Sequence, residues 1–343
     1  MKATAVAPSN IAWVKYWGRR NDALVLPTNS NFSMTFGPTK TNPEGMHTTT
    51  TVEFSDAFDM DTVIIDGKEA DRNAYDRTVA HLNIIRGLAG VNYRFKMESR
   101  NNFPYGAGFA SSASGGAAEA YAASEALGLR LSKEKLSVLA RLSGSGSAAR
   151  SVHGGWVMWQ KGEREDGEDS HAIRVFDENH WPDVRVLATV LDDKVKGVRS
   201  AEGMKESVES CPLYALWPST AESDLKRLIP AIERRDFSTA GLIAEYNCRA
   251  LHAIMLATRE GPKDRPLIYF APETIALMKQ VHAWRAEGLE AYYTIDAGPN
   301  VKVICMKEDE ATLTDRLKSL PFVKNVIPTQ PGPGARLADE HLF

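Results

Sequence analysis

Pro104-Tyr105-Gly106-Ala107-Gly108-Phe109-Ala110-Ser111-Ser112-Ala113-Ser114-Gly115 is the stretch that decides the fold of this chain. Its glycines let the backbone approach an anion closely, and the N–H groups and dipole of a following helix stabilise negative charge. No Gly-Lys-Ser/Thr follows, so the stretch is not a Walker A loop. It predicts a phosphate-binding loop, although a small-residue helix packed tightly on a sheet explains the residues equally well.

Strand and helix patterns surround this loop. β-branched runs and alternation predict strands, and apolar residues at helical spacing predict helices. The predicted strands are 48–54, 62–65, 92–98, 183–191, 291–295 and 301–306, and the predicted helices are 76–88, 111–129, 132–142, 221–234, 237–255 and 273–288. Strands 48–54 and 62–65, with the turn residues Asp66-Gly67, together suggest a hairpin. We place a domain boundary near residue 190, which gives domains 1–190 and 191–343.

Length and composition limit the class of protein. The chain has 343 residues, of which 43% are hydrophobic and 25% charged, so it is globular and long enough for two domains. A net charge of −3 without a basic stripe argues against a nucleic-acid partner. No run of about 18 apolar residues predicts a membrane span. Three widely separated cysteines and no secretory signal predict a reducing, cytoplasmic location.

The loop pattern Pro-x-x-x-Gly-x-x-Ser-Ser-Ala resembles the ATP loop of the GHMP kinase superfamily. Three more segments resemble one branch of it, the diphosphomevalonate decarboxylases. They are Asn10-Ile11-Ala12-Trp13-Val14-Lys15-Tyr16-Trp17-Gly18, Gly144-Ser145-Gly146-Ser147-Ala148-Ala149-Arg150-Ser151 and Tyr293-Thr294-Ile295-Asp296-Ala297-Gly298-Pro299-Asn300. The four motifs occur in order and cover nearly the whole chain.

This resemblance implies a two-domain α+β GHMP kinase fold. The N-terminal domain would resemble domain 2 of ribosomal protein S5 and carry the ATP loop, and the C-terminal domain would be ferredoxin-like. The implied cofactors are ATP and Mg²⁺, and the implied partner is a phosphorylated mevalonate, a small-molecule substrate. Members of the family are commonly homodimers, so we expect a homodimer.

Asp296 and Lys15 are the catalytic candidates. Taken alone, an Asp before a Gly-Pro pair is more often a turn-former than a general base. The resemblance implies that Asp296 takes the proton of the C3 hydroxyl as that oxygen attacks the γ-phosphate of ATP. It also implies that Lys15 stabilises the charge that develops there. Phosphate and carbon dioxide would then leave. Such a reaction consumes ATP because phosphate is a far better leaving group than hydroxide.

The remaining candidates bind the substrate or ATP. The 5-phosphate end requires positive charge and N–H donors, and the substrate-binding candidates are Tyr16, Arg19, Arg77, Ser145, Gly146, Ser147 and Arg150. The ATP-binding candidates are Asn101, Pro104, Gly106, Ala107, Gly108, Ser111 and Ser112. The Ser112 hydroxyl is also the candidate ligand of Mg²⁺ in the ATP complex. Without the resemblance, Arg77 would be read as a solvated side chain, and Lys194, Lys196 and Arg199 align too uncertainly to assign.

Two departures from the family pattern leave the substrate open. Arg19 stands where the family has Lys, and Tyr105-Gly106 stands where it has Thr-Ala. Arg grips a phosphate bidentately and Lys acts as a point charge, so these changes affect the site of the 5-substituent. The leading function is conversion of 5-diphosphomevalonate to isopentenyl diphosphate. The alternatives are 5-phosphomevalonate to isopentenyl phosphate, a mevalonate 3-kinase without decarboxylation, and a binding or regulatory homologue without turnover.

Overall fold

A computed structural model describes residues 1–103, 111–192, 198–259 and 267–343. Four ATP-binding candidates (Pro104, Gly106, Ala107 and Gly108) lie outside the described residues, as do Lys194 and Lys196. The described strands are β1 Lys2–Pro8, β2 Asn10–Val14, β3 Arg19–Asn21, β4 Leu26–Pro27, β5 Asn31–Gly37, β6 His47–Ser55, β7 Thr62–Ile65, β8 Lys68–Glu69, β9 Arg94–Asn101, β10 Trp156–Trp159, β11 Ala172–Phe176, β12 Val184–Val190, β13 Tyr292–Thr294, β14 Lys302–Met306, β15 Asn325–Pro331 and β16 Arg336–Ala338. The described helices are α1 Arg72–Ala89, α2 Ser111–Ala126, α3 Lys133–Leu142, α4 Ala148–Ser151, α5 Ser200–Ser210, α6 Trp217–Glu233, α7 Phe237–Leu256, α8 Pro272–Ala286 and α9 Glu310–Lys318.

One sheet has the strand order β16-β1-β6-β9-β7-β8. Strand β6 pairs antiparallel with β1 and β9, whereas β7 pairs parallel with β9 and antiparallel with β8. The predicted hairpin between 48–54 and 62–65 is therefore wrong. Asp66 and Gly67 both have positive φ, 50° and 76°, which suits a two-residue turn that closes on the residues directly after it. Hence β7 pairs through this turn with β8 and not with β6.

Helix α2 packs against this sheet and against α3 and α4. Its alanines Ala113, Ala117 and Ala120 lie on one face and Ala118 and Ala122 on the opposite face, and all five are fully buried. A helix covered on several sides needs small residues throughout. A Cβ on Gly116 would lie 2.2 Å from the Ser143 hydroxyl oxygen, so the start of α2 is held close to the segment that follows α3.

The other large sheet has the order β11-β10-β5-β15-β12-β14-β13, with β2 also paired to β5. Strand β15 pairs with both β5 and β12, so this sheet runs from the N-terminal into the C-terminal part of the chain. Helix α7 contacts α6, β2 and β13. It therefore lies against the ends of two strands that are distant in sequence.

Most predicted elements are confirmed. The predicted helices 76–88, 111–129, 132–142, 221–234, 237–255 and 273–288 correspond to α1, α2, α3, α6, α7 and α8 with shifts of a few residues at the ends. The Ser132 side chain accepts a hydrogen bond from the Lys135 N–H and caps α3. The sequence patterns gave no bounds for ten of the described strands and three of the described helices, namely β1 to β5, β8, β10, β11, β15 and β16, and α4, α5 and α9. The division at residue 190 remains a proposal.

Candidate active site

Lys15 and Asp296 lie in direct contact. The Lys15 ammonium donates to Asp296 Oδ1 at 2.8 Å and to the Ala12 carbonyl at 2.8 Å. The Lys15 side chain is almost fully buried, whereas that of Asp296 is 30% exposed. An ammonium removed from water is stabilised by these two acceptors. The carboxylate thus reaches the surface of a cleft with its charge partner beneath it.

Strands β2 and β13 bring this pair together. Lys15 directly follows β2, and Asp296 follows β13 by two residues. The Ala12 carbonyl also accepts from the Thr294 hydroxyl at 3.3 Å. One carbonyl on β2 therefore contacts both the catalytic lysine candidate and the strand that leads to the catalytic carboxylate candidate.

A cleft of about 480 Å³ opens over Lys15 and Asp296. Most of the predicted site residues that the structure describes line it, although they come from distant segments. They are Lys15, Tyr16, Arg19, Arg77, Ser111, Ser112, Ser145, Gly146, Ser147, Arg150 and Asp296. The cleft is large enough for a small phosphorylated acid.

Arg150 is the most buried of the arginines predicted to bind phosphate, with 4% exposure. Its Nε and Nη2 donate to Asn10 Oδ1 at 3.2 and 3.1 Å, and its Nη1 donates to Asn31 Oδ1. Burial lowers the pKa of the guanidinium to about 10, and the charge of Asp296 opposes that shift. The group therefore stays charged at neutral pH and is presented to the cleft in a fixed orientation.

Tyr16 and Arg19 also line the cleft and contact each other. Arg19 Nε donates to the Tyr16 hydroxyl at 2.9 Å, and its Nη2 donates to the Gly144 carbonyl at 2.9 Å. Burial raises the pKa of Tyr16, and the Arg19 charge and hydrogen bond oppose this. A Cβ on Gly146 would lie 2.5 Å from the Trp159 ring, so glycine is required there for the loop to pack on Trp159.

The start of α2 faces the loop that contains Ser145 and Ser147. The Ser145 hydroxyl donates to Ser112 Oγ at 3.2 Å and lies 3.2 Å from Ser147 Oγ. These hydroxyl oxygens lie at the edge of the cleft, where they are neutral candidate ligands for a metal ion. The described residues contain no group of three or more His, Cys, Asp or Glu side chains placed to hold a metal. The donor set thus fits a Mg²⁺ ion that is bound chiefly by nucleotide phosphates, with Ser112 as a supplementary ligand.

Two predicted residues, Arg77 and Asn101, make their hydrogen bonds outside the group of site residues described above. Arg77 is exposed on α1, where its Nε donates to the Asn73 carbonyl, and its side chain lines the cleft. Asn101 is held elsewhere: its Oδ1 accepts from the Thr48 hydroxyl at 2.7 Å, and its Nδ2 donates to Asp66 at 3.1 Å. It does not belong to the described lining of the cleft, so its ATP-binding role remains a prediction.

Several residues that line the cleft were not among the predicted site residues, namely Asn10, Asp71, Asn73, Arg199, Ser200 and Met204. Asn10 belongs to a motif that was quoted, and its amide orients Arg150. Arg199 and Ser200 lie at the start of α5, a helix that the patterns did not predict. The signal available in this segment was the basic charge of Arg199, which the sequence aligned too uncertainly to assign.

The cleft is positive although the chain is net acidic. Lys15, Arg19, Arg77, Arg150 and Arg199 line it, against the carboxylates Asp71 and Asp296. A concave surface lined mainly by one sign of charge concentrates ligands of the opposite sign. The cleft therefore suits a ligand with several negative charges.

Comparison with protein-family models identifies the family to which this chain belongs. Residues 7–172 match the family model of the diphosphomevalonate decarboxylase-like N-terminal domain, and residues 186–332 match that of the mevalonate 5-diphosphate decarboxylase C-terminal domain. The chain belongs to the diphosphomevalonate decarboxylase family. The predicted resemblance and the two-domain α+β GHMP fold are thereby confirmed.

Known decarboxylases resemble the chain along almost its full length. The diphosphomevalonate decarboxylase of Ganoderma lucidum is 34% identical over 333 residues, covering 90% of this chain and 79% of the relative. A structure of the mevalonate diphosphate decarboxylase from Enterococcus faecalis is 35% identical with a TM-score of 0.88, covering 98% of this chain and 99% of the other. A structure described as MDDEF in complex with MVAPP, AMPPCP and magnesium has the same identity, TM-score and coverage.

Proposed function

We propose that the chain catalyses the ATP-dependent decarboxylation of 5-diphosphomevalonate to isopentenyl diphosphate. The observation that carries the proposal is the Lys15–Asp296 contact at the floor of a positive cleft beside the start of α2. Family membership and the relatives that bind MVAPP with AMPPCP and magnesium support the same reaction, with ATP and Mg²⁺ as cofactors.

In the first step Asp296 accepts the proton of the substrate C3 hydroxyl. The C3 oxygen forms a bond to the γ-phosphorus of ATP, and the bond from that phosphorus to the β,γ-bridging oxygen breaks, which releases ADP. Lys15 stabilises negative charge on the oxygens around the reacting phosphorus. Ser112 would contribute a ligand to Mg²⁺, which would neutralise charge on the nucleotide phosphates.

In the second step the bond between C2 and the carboxylate carbon breaks, and carbon dioxide leaves. The electron pair of that bond forms the C2–C3 double bond while the C3–O bond breaks and phosphate departs. Arg150, Arg19 and the Gly144–Ser147 loop are placed to bind the 5-diphosphate and hold the substrate in this orientation. Lys15, which contacts Asp296, supplies positive charge near C3 that favours departure of the phosphate.

The decisive experiment is a coupled assay with ATP and magnesium that offers mevalonate, 5-phosphomevalonate and 5-diphosphomevalonate separately. We expect phosphate and carbon dioxide release with the diphosphate, and none after chelation of the metal. Preferred turnover of the monophosphate would assign the alternative decarboxylase. ATP consumption without carbon dioxide would assign a 3-kinase, and no consumption with any substrate would contradict an enzymatic function.

We further propose a homodimer. Helix α7 exposes Leu242, Tyr246 and Leu256, each about half accessible, on one face. We expect these side chains to be covered in the dimer, because burial of exposed apolar surface favours association. Sedimentation at twice the monomer mass is expected, and Tyr246→Glu should shift it to the monomer. Monomeric wild-type protein would contradict this proposal.

We also propose a cytoplasmic location. Cys211, Cys248 and Cys305 are free and buried, as is usual for a protein of a reducing compartment. None of the described helices has the length and apolar character needed to cross a membrane. Fractionation that recovers the protein with a secreted fraction would contradict this location.

A further inference from the structure

Helix α7 contacts the backbones on which both catalytic candidates stand. Asn247 Oδ1 accepts from the Lys15 backbone N–H at 2.8 Å. The neighbouring Cys248 Sγ accepts from the Ile295 N–H at 3.1 Å and donates to the Ile295 carbonyl at 3.5 Å. Ile295 is the residue directly before Asp296. Two consecutive side chains therefore connect one helix to the two segments that form the Lys15–Asp296 pair.

The Asn247 amide makes a hydrogen bond at both its oxygen and its nitrogen. Its Nδ2 donates to Asp224 Oδ2 on α6 at 2.9 Å, which fixes the amide orientation and directs Oδ1 toward Lys15. The Lys15 carbonyl accepts from Asn29 Nδ2 at 2.8 Å. The backbone of Lys15 is thus held from both sides, and its buried ammonium has little freedom to move away from Asp296.

The Cys248 side depends on a neutral thiol. Burial raises the pKa of Cys248 to about 11, with the Lys15 charge opposing, so the sulfur stays protonated at neutral pH. It then acts both as a donor and as an acceptor toward Ile295. One turn later, burial and the Lys15 charge lower the pKa of His252 to about 3, which leaves a neutral imidazole there. Cys248 and His252 are therefore both neutral and add no charge beside the Lys15–Asp296 ion pair.

We infer that Asn247 and Cys248 are positioning residues that set the separation and orientation of Lys15 and Asp296 in the proposed reaction. They act on the backbone and do not touch the substrate. The inference rests on the proposed function, in which Asp296 is the base. Misplacement of a reacting group by about 1 Å costs about 100-fold in rate, so small shifts of these two segments have large kinetic consequences.

The test compares Cys248→Val with Cys305→Val. Both cysteines are fully buried and free, but Cys305 lies on β14 opposite Arg185 and away from the cleft. Cys248→Val should lower kcat by about 10- to 100-fold while KM for ATP and substrate stays within about threefold. Cys305→Val should change thermal stability without lowering kcat. Cys248→Ser, which retains a donor and an acceptor, should recover most of the loss.

Three further measurements separate positioning from a structural role. In an Asp296→Asn background, Cys248→Val should cause no additional loss, because its effect operates through Asp296. Asn247→Leu should lower kcat in the same way while the variant still binds a nucleotide analogue. A crystal structure of Cys248→Val should show the Lys15 Nζ to Asp296 Oδ1 distance beyond about 3.5 Å.

The inference and the proposed function fail in different ways. A folded Cys248→Val variant with wild-type kcat, or one with the 2.8 Å contact intact, would overturn the positioning role. Wild-type protein that turns over none of the three mevalonates would contradict the proposed function, and the crystallographic distance would still decide the inference.

Discussion

The ammonium of Lys15 lies 2.8 Å from Asp296 Oδ1 although the two residues are 281 positions apart. The lysine is buried and the carboxylate reaches the cleft, so the ammonium of Lys15 holds Asp296 from beneath the surface that a substrate approaches. Burying the ammonium of such a pair costs desolvation energy, which can exceed the Coulomb attraction between the two charges. We propose that the pair serves catalysis, because the ammonium is oriented before the substrate binds.

Asp296→Asn should lower kcat by about 10²- to 10⁴-fold, the range typical of a lost general base. The amide retains the shape of the side chain but cannot take the proton of the C3 hydroxyl. Steady-state kinetics and equilibrium binding of an ATP analogue check this, with Asp315→Asn on the exposed face of α9 as control. Near-normal product formation in Asp296→Asn would show that another group is the base.

Arg150→Lys should weaken binding of the 5-phosphorylated substrate by about 10- to 100-fold, since hydrogen bonds to charged groups contribute about 1.5–3 kcal/mol. Lysine keeps the charge but loses the planar fork that Asn10 and Asn31 orient. Calorimetry of substrate binding measures the change. Arg174→Lys, at an arginine with a half-exposed side chain on β11, is the control and should bind normally. Equal affinities for both variants would argue against a phosphate contact by Arg150.

Arg77→Ala should raise KM for the substrate about 10-fold with little change in stability, because Arg77 is exposed and lines the cleft. Arg72 on the same helix provides the matched comparison. Its side chain is 85% exposed and pairs with Asp76 outside the cleft, a kind of contact that contributes at most about 1 kcal/mol. Arg72→Ala should leave KM unchanged. Equal KM values in both variants would show that Arg77 is a solvated surface residue that does not bind the substrate.

His153 should make the protein less stable at acidic pH. Burial, aided by the Lys133 charge, lowers its pKa from 6.5 to about 4. The unfolded chain therefore binds the proton more readily than the folded one, and stability present above pH 6.5 is lost as the pH falls toward 4. The loss attributable to this group is at most about 3 kcal/mol.

Urea unfolding at a series of pH values measures this contribution. His153→Gln, which cannot titrate, should show a shallower fall in the free energy of unfolding between pH 6.5 and 4 than wild type. His171→Gln, at a partly buried histidine near β11, is the comparison. Identical slopes for His153→Gln and wild type would assign the acid sensitivity to other groups.

Local sequence patterns were sufficient for most helices. The capping serine Ser132, the Ala-rich run of α2 and the apolar spacing of α1 and α7 are properties of short segments, so they are readable without tertiary information. The pairing partners of strand 48–54 could not be predicted in this way, because a pattern of β-branched residues predicts a strand but not its neighbour. Only the fold placed β6 between β1 and β9.

The sequence by itself determined the family and the chemical types in the site: a carboxylate, an ammonium, arginines and a glycine-serine loop in four ordered motifs. The tertiary structure decided which of them meet. It brought Lys15 to Asp296, used Asn10 to orient Arg150, and directed Asn101 toward Thr48 and Asp66. Such contacts depend on the packing of strands and helices that are far apart in the chain, and that packing follows from the whole buried core.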